Sequence, residues 1–177
     1  VFNPCWTVPH KIAVESMLRR IKKDTNYLDD RNMFITQNGQ RVNHKEIDFT
    51  TCSKDNFPYK IFQNASSGNA LGKVKFMFDN PHSVYLHDTP YKYLFNKDFR
   101  TFSNGCIRLQ NAMQLAELVL KIDNNSAIIA VKLAPGYPVK TYLNKPIPII
   151  IQYQTARYNE ELEMVQFFGD CYGLDSL

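Results

Sequence analysis

The chain has 177 residues, 44% of them hydrophobic and 13% aromatic, with a formal net charge of +4. These values predict one folded globular domain and exclude a disordered chain. Lysines and arginines are dispersed, which argues against a nucleic-acid-binding stripe, and the longest apolar run, residues 146–151, is too short to cross a bilayer. The chain begins with Val1 and shows no signal peptide, so we expect either a removed export signal or a piece of a longer protein.

The first third of the chain is predicted to contain a helix, a hairpin and a strand. Apolar residues at helical spacing predict a helix over 10–23, and an Asn-Gly pair predicts a tight hairpin over 33–42. Residues 59–63 are predicted to form a strand. The segment 24–56 is largely polar, shows few core candidates and interrupts the β pattern.

The rest of the chain is predicted to be mostly short strands. Alternating apolar residues indicate strands at 73–78 and 83–87, and apolar runs predict three more at 127–133, 146–153 and 162–167. A second helix is predicted over 110–121. Its predicted inward residues are Met113, Leu115, Ala116, Leu118 and Val119. The pattern therefore favours a largely β domain with two helices.

Four cysteines lie far apart in the chain, at Cys5, Cys52, Cys106 and Cys171. No CxxC or CxxH pair occurs, which argues against a structural zinc site. The number of cysteines fits one or two disulfides as well as a single nucleophilic cysteine, and the sequence leaves that choice open.

A reactive thiol is suggested by the run "SNGC", which ends at Cys106. A thiol attacks as the thiolate, so it needs a base nearby and donors for the oxyanion it creates. Gly105 permits an unusual backbone angle that can direct the N–H groups of Gly105 and Cys106 toward one point. Of the four histidines, His87 alone ends an apolar strand, where a rigid sheet would hold its ring. Taken singly, each feature is more often a turn or an ordinary histidine.

Taken together, "YLHDTP" at 85–90 and "SNGCIR" at 103–108 resemble the L,D-transpeptidases of the YkuD family. The stretches "WTVP", "ALGKVKF" and "FGDCYGLD" are similar to the large periplasmic members of Gram-negative bacteria. Many members have His where Asn104 stands, although that position is not the general base. The resemblance implies a mainly β, YkuD-like β-sandwich with two or more short helices, forming a single catalytic domain over residues 1–177. It also implies that residues 24–56 form a small capping insertion, or lid, over the active site.

The implied function is that of a peptidoglycan L,D-transpeptidase. Such an enzyme forms 3→3 cross-links between stem peptides through a cysteine thioester and releases D-alanine. The resemblance implies no metal and no organic cofactor, sensitivity to carbapenem β-lactams, and a place in the periplasm or cell envelope. We expect a monomer and no nucleic-acid partner.

The resemblance also assigns roles to residues. Cys106 is the nucleophile and His87 the base. The histidine is oriented by the backbone carbonyl of Asp88, with the Asp88 side chain as an alternative orienter or as a cap of its own turn. The N–H groups of Gly105 and Cys106 form the oxyanion hole, and the Tyr85 hydroxyl either assists them or belongs to ordinary strand packing.

Three further residues are expected on the substrate side of the site. Arg108 suits a substrate carboxylate because a guanidinium matches it with two hydrogen bonds, although a local salt bridge is the alternative. Ser103 and Asn104 belong to the same loop, and Ser103 is expected to stabilise the loop or the histidine by hydrogen bonding.

Other functions fit parts of the pattern. An L,D-carboxypeptidase or an enzyme that exchanges the terminal D-amino acid would use the same residues. A papain-like peptidase usually has its cysteine before its histidine, the reverse of the order here. A non-catalytic wall-binding module would not need both Cys106 and His87.

Overall fold

Residues 1–125 and 128–175 are described in a computed structural model, in which the chain divides into two compact units, residues 1–144 and residues 145–177. Each unit is described separately below.

A four-stranded antiparallel sheet forms the larger part of the first unit. Its strands are β1 (Trp6–Thr7), β2 (Met33–Gln37), β3 (Gln40–Val42) and β4 (Tyr59–Gln63), in the order β1-β4-β2-β3. The predicted hairpin is confirmed, with φ of 51° at Asn38 and 82° at Gly39. The predicted strand over 59–63 is also confirmed.

The first predicted helix is confirmed, although it ends at Ile21, and it packs on this sheet. It runs through α1 (His10–Ile12), a π-helical turn (Ala13–Met17) and α2 (Leu18–Ile21). The buried side chains of the helix and the sheet form one hydrophobic cluster. Its members from the helix are Ala13, Val14, Met17, Leu18 and Ile21.

The expectation of few core residues in segment 24–56 is wrong. Leu28 and Ile35 are among the most deeply buried side chains, and Tyr27, Phe49 and Cys52 lie in the same cluster. Polar residues dominate the composition because they occupy the turns and three short 3₁₀ helices. These helices are Asp29–Arg31, His44–Glu46 and Phe49–Thr51.

A three-stranded sheet forms the other part of the first unit. β5 (Lys75–Phe76) pairs antiparallel with β6 (Leu86–His87), which pairs parallel with β7 (Ile107–Arg108). Between β6 and β7 the chain makes a long excursion that includes a 3₁₀ helix, Lys92–Asn96. The predicted strands at 73–78 and 83–87 are therefore present but shorter.

Helix α3 (Ala112–Ile122) follows β7 and confirms the second predicted helix. It buries Ala112, Ala116 and Leu120 in a second cluster with Phe2 and Val74. The predicted inward face was partly wrong, since the Leu118 side chain is 53% exposed. Apolar residues lie on several sides of this helix, so their period alone did not identify the buried side.

Two of the three later strand predictions fail. Residues predicted as a strand over 127–133 form helix α4 (Ile129–Leu133), with Ala127 outside the described residues. A short apolar run suits either structure, which explains the error. No strand is present at 146–153, where Pro146 and Pro148 lack the N–H groups that a ladder needs.

The second unit contains a hairpin of β8 (Ala156–Asn159) and β9 (Met164–Phe167). The strand predicted over 162–167 is confirmed with a later start, and β8 was not predicted. The fold class, a mainly β domain of YkuD type with short helices, is confirmed. All four cysteines are free thiols. Within the described residues, no helix has the length and apolarity required to span a membrane.

Candidate active site

One face of the three-stranded sheet carries four of the predicted site residues, Tyr85, His87, Cys106 and Arg108. Lys75, His87 and Arg108 are paired in register across the three strands, so their side chains leave the same face. The alternate residues Phe76, Leu86 and Ile107 are paired in the next row and leave the opposite face. We call the first surface the catalytic face, defined by Lys75, Tyr85, His87, Cys106 and Arg108.

Backbone hydrogen bonds place Cys106 beside Tyr85. The Ile107 N–H donates to the Tyr85 carbonyl at 3.1 Å, and the Leu109 N–H donates to the His87 carbonyl at 2.8 Å. This pairing extends the parallel ladder by one residue, so that Cys106 lies opposite Tyr85. The rings of Tyr85 and His87 are 5.8 Å apart, edge to face.

His87 is held in one tautomer. Its ring is buried, with only 5% of the residue exposed, and its Nδ1 lies 2.5 Å from the Asp88 carbonyl oxygen. Because a carbonyl only accepts, Nδ1 carries the proton and Nε2 keeps its lone pair. Burial lowers the pKa of His87, the hydrogen bond to the Asp88 carbonyl and the charge of the Asp88 carboxylate raise it, and the positive charges of Arg108 and Lys75 lower it. The net shift is downward. The ring is therefore favoured as a neutral base.

The Asp88 side chain is bound away from the histidine. Its Oδ2 accepts from the Lys73 N–H at 2.8 Å, and its Oδ1 accepts from Lys92 Nζ at 2.6 Å. Lys92 also donates to the Leu109 and Gln110 carbonyls, at 3.0 and 2.6 Å. Asp88 and Lys92 thus clamp the end of β6 to the chain that follows β7.

The loop before β7 exposes Ser103, Asn104 and Gly105, whereas Cys106 is half-buried. Gly105 has a φ of 131°, a conformation that side chains rarely adopt. Its N–H lies 3.4 Å from Ser103 Oγ, a long hydrogen bond. Among the described residues the Cys106 N–H has no acceptor. Both N–H groups are therefore available to an oxyanion at little cost.

Tyr85 and Arg108 flank the reactive groups. Burial raises the pKa of Tyr85, and a Cys106 thiolate near the hydroxyl raises that pKa further. The phenol consequently stays protonated and can donate a hydrogen bond to the thiolate or to an oxyanion. Arg108 is half-buried beside His87 and forms no salt bridge with a carboxylate in the described part of the chain.

Three residues near the site were not predicted. Lys75 and Lys92 lay in stretches that the sequence interpretation treated as ordinary strand and loop. Gly72 is close-packed: a Cβ there would lie 2.5 Å from Cγ of Asp88. The only signals were the i,i+4 spacing of Asp88 and Lys92 and a glycine between apolar runs. No group of three or more potential metal ligands occurs within residues 1–125 and 128–175.

The fold and the site together define a mainly β domain with a cysteine, a buried histidine and a tyrosine on one sheet face. The family model described as YkuD, L,D-transpeptidase catalytic domain, matches residues 1–149. A protein of Haemophilus influenzae (strain ATCC 51907 / DSM 11121 / KW20 / Rd) named "Putative L,D-transpeptidase" is 33% identical over 181 residues. That match covers 99% of this chain and 35% of the relative, so the chain spans about a third of the relative's length. The chain belongs to the YkuD family of L,D-transpeptidase catalytic domains, which confirms the resemblance seen in its motifs.

Proposed function

We propose that this domain is a peptidoglycan L,D-transpeptidase that uses Cys106 as its nucleophile. The observation that carries the proposal is the arrangement of the catalytic face. Cys106 and Tyr85 are neighbours across β6 and β7, and His87, two residues beyond Tyr85, presents an unprotonated Nε2 on the same face. Membership of the YkuD family supports a cell-wall substrate.

The first half-reaction would acylate the cysteine. His87 Nε2 takes the proton of the Cys106 thiol, and the sulfur attacks the carbonyl carbon of the diaminopimelyl residue in a donor tetrapeptide stem. The carbonyl electrons move onto oxygen, where the N–H groups of Gly105 and Cys106 and the Tyr85 hydroxyl can donate. When the C–N bond breaks, His87 returns the proton to the departing amine of D-alanine and a thioester remains.

The second half-reaction would transfer the acyl group. The side-chain amine of an acceptor stem attacks the thioester, loses a proton to His87, and expels the Cys106 thiolate. The product is a 3→3 cross-link. No redox step is involved, and every proton passes through His87, so the residues described suffice for the chemistry.

Supporting roles follow from the same geometry. The carbonyl of Asp88 orients the histidine, and its carboxylate acts through the clamp to Lys92. Arg108 binds a carboxylate of the stem peptide, since its guanidinium has no carboxylate partner among the described residues. Ser103 and Asn104 form the exposed rim of the substrate loop.

The setting proposed for the domain is the periplasm or cell envelope, where peptidoglycan stems are found. Carbapenems would acylate Cys106 because a β-lactam presents a strained carbonyl to the thiolate. We propose a single catalytic domain that acts as a monomer.

Mass analysis of muropeptides tests the reaction directly. The purified chain is incubated with disaccharide tetrapeptides, and we expect cross-linked dimers together with released D-alanine. Cys106→Ala should form none, whereas Cys171→Ser, which changes an exposed thiol in the second unit, should retain full activity. Tripeptide without dimer would indicate an L,D-carboxypeptidase, exchanged terminal residues would indicate D-amino-acid exchange, and no turnover with retained wall binding would indicate a binding module.

Residues 24–56 are proposed as a lid that limits hydrolysis of the thioester. A deletion that shortens the hairpin can test this, with circular dichroism as the check that the chain still folds. Ile35 and Val42 are paired partners, so removing residues 36, 37, 40 and 41 leaves them joined by Asn38-Gly39, a natural two-residue turn, and shortens the ladder between β2 and β4 by two residues. A lid role predicts more tripeptide relative to dimer with unchanged carbapenem acylation. An unchanged product ratio would contradict it.

A further inference from the structure

A half-buried lysine stands on the catalytic face. Lys75 is paired with His87 in the antiparallel ladder of β5 and β6, and its Nζ lies 5.1 Å from the centre of the Tyr85 ring. No ion pair joins it to a carboxylate within the described residues. A cation removed from water in this way is stabilised by a π face only in part.

Thiols and other ionisable groups surround this ammonium. They come from every neighbouring stretch: the Val1 amino group and Cys5 at the start of the chain, Tyr85 and His87 on the β6 side, Cys106 and Arg108 on the β7 side, and Lys140. A carboxylate, that of Asp88, acts on His87 and raises its pKa, and it accepts hydrogen bonds from the Lys73 N–H and Lys92 Nζ. Apart from this fixed charge, the negative charges that the neighbourhood can generate are thiolates and, in the Cys106 reaction, an oxyanion.

We propose that Lys75 is a positioning residue that acts through its charge. Its ammonium, held over the Tyr85 ring, stabilises the negative charge that develops at Cys106 when His87 removes the thiol proton. This inference rests on the proposed role of Cys106 as nucleophile. Burial lowers the pKa of Lys75, whereas the charges of Cys5 and Cys106 raise it. The charged lysine and a thiolate at Cys106 therefore attract each other across the Tyr85 ring.

Loss of this charge has a distinctive consequence. The ammonium also disfavours a protonated His87, so its removal makes both His87 and Cys106 hold protons more strongly. The whole pH profile of thiol reactivity should then move to higher pH. A residue that merely fills space would change the amplitude or the stability without moving the profile.

Alkylation of Cys106 by iodoacetamide measures this without any peptidoglycan chemistry. The full chain is treated over pH 5–9, and peptide mass mapping follows Cys106, with the exposed Cys171 as an internal reference. Lys75→Met removes the charge at similar length, Lys75→Arg restores it, and Lys60→Met removes an exposed charge from the other sheet as a control. Parallel assays of dimer formation keep failure of this inference distinct from failure of the proposed function.

We expect Lys75→Met to shift the profile upward by about half a unit to one unit, which means about three- to tenfold slower alkylation near neutral pH. Lys75→Arg and Lys60→Met should give the same pH profile of Cys106 alkylation as the unmodified chain. The proposal is overturned if Lys75→Met leaves the profile in place. It is equally overturned if Lys75→Arg is as slow as Lys75→Met, since that would make shape rather than charge the important property.

Discussion

Gly72 should be intolerant of alanine because it lies against Asp88. The glycine has a φ of 60°, and a Cβ there would lie 2.5 and 2.6 Å from Cγ and Cβ of Asp88. Such distances force the carboxylate to move, which weakens its bonds from the Lys73 N–H and from Lys92. The Asp88 carbonyl that holds His87 belongs to the same residue, so the catalytic face should be disturbed as well.

The cost of Gly72→Ala has two parts. A left-handed φ costs a non-glycine residue about 1–2 kcal/mol, and a weakened charged hydrogen bond costs about 1.5–3 kcal/mol. The Lys92 side chain is 45% exposed, so we count only the partly buried bond from the Lys73 N–H. The total is about 2.5–5 kcal/mol, which corresponds to a fall in Tm of about 5–20 °C for a chain of this size.

Gly39→Ala is the matched control. Its φ of 82° imposes similar backbone strain, but a Cβ there would have no heavy atom within 4 Å. Thermal unfolding followed by circular dichroism should therefore give a loss of about 1–2 kcal/mol for Gly39→Ala. If the two variants lost equal stability, contact with Asp88 would not be the reason why residue 72 must be glycine. The Asp88 clamp would then no longer explain the sensitivity of this position.

Four further predictions concern the clamp, the base and the nucleophile. Lys92→Met should slow carbapenem acylation by about tenfold, because the bond from Lys92 to Asp88, the residue whose carbonyl orients His87, is lost. In the same mass-spectrometric assay, Lys97→Met, which changes an exposed neighbouring lysine, should leave the acylation rate unchanged. The acylation rate should fall only at a pH below the usual histidine pKa of about 6.5, because burial lowers the pKa of His87. A fall in rate that begins above that pH would contradict a buried, neutral His87 ring. For the same reason the free energy of unfolding should decrease as the pH falls below about 6.5, and this dependence should be smaller in His87→Gln. A carbapenem should add once per chain, and the adduct should be absent in Cys106→Ala but present in Cys52→Ser.

The motifs predicted the family because they preserve a spacing that the sheet requires. His87 ends one strand and Cys106 precedes the next, and both strands are only two residues long in the structure. A short ladder shows little periodicity, yet the histidine and the Ser-x-Gly-Cys run identify its two ends. The fold class followed from the alternating segments, most reliably where Asn38-Gly39 fixed the register of the hairpin.

The lysines near the site could not be predicted because their roles depend on pairing between distant segments. Lys75 meets His87 only through the register of β5 and β6, and Lys92 bonds to the residues after β7 only because the chain turns back between β6 and β7. Similarly, Leu28 and Phe49 lie in a polar stretch, and they join the core because β2 occupies an inner position in its sheet. In each case a tertiary contact, absent from any local window of sequence, decides the outcome.

The charge of the catalytic face follows from the alternation of β6. The His87 side chain lies on one face of the sheet. The carboxylate of Asp88, the next residue, accepts hydrogen bonds from the Lys73 N–H and from Lys92 Nζ. The catalytic face is left with Lys75 and Arg108 on either side of the histidine. Because both are cations, this face favours a neutral base and stabilises whatever negative charge forms there, whether a thiolate, an oxyanion or a substrate carboxylate. The charge of Asp88 raises the pKa of His87, whereas the charges of Arg108 and Lys75 lower it, so the hydrogen bonds that hold the Asp88 carboxylate at Lys73 and Lys92 also bear on the protonation of the proposed base.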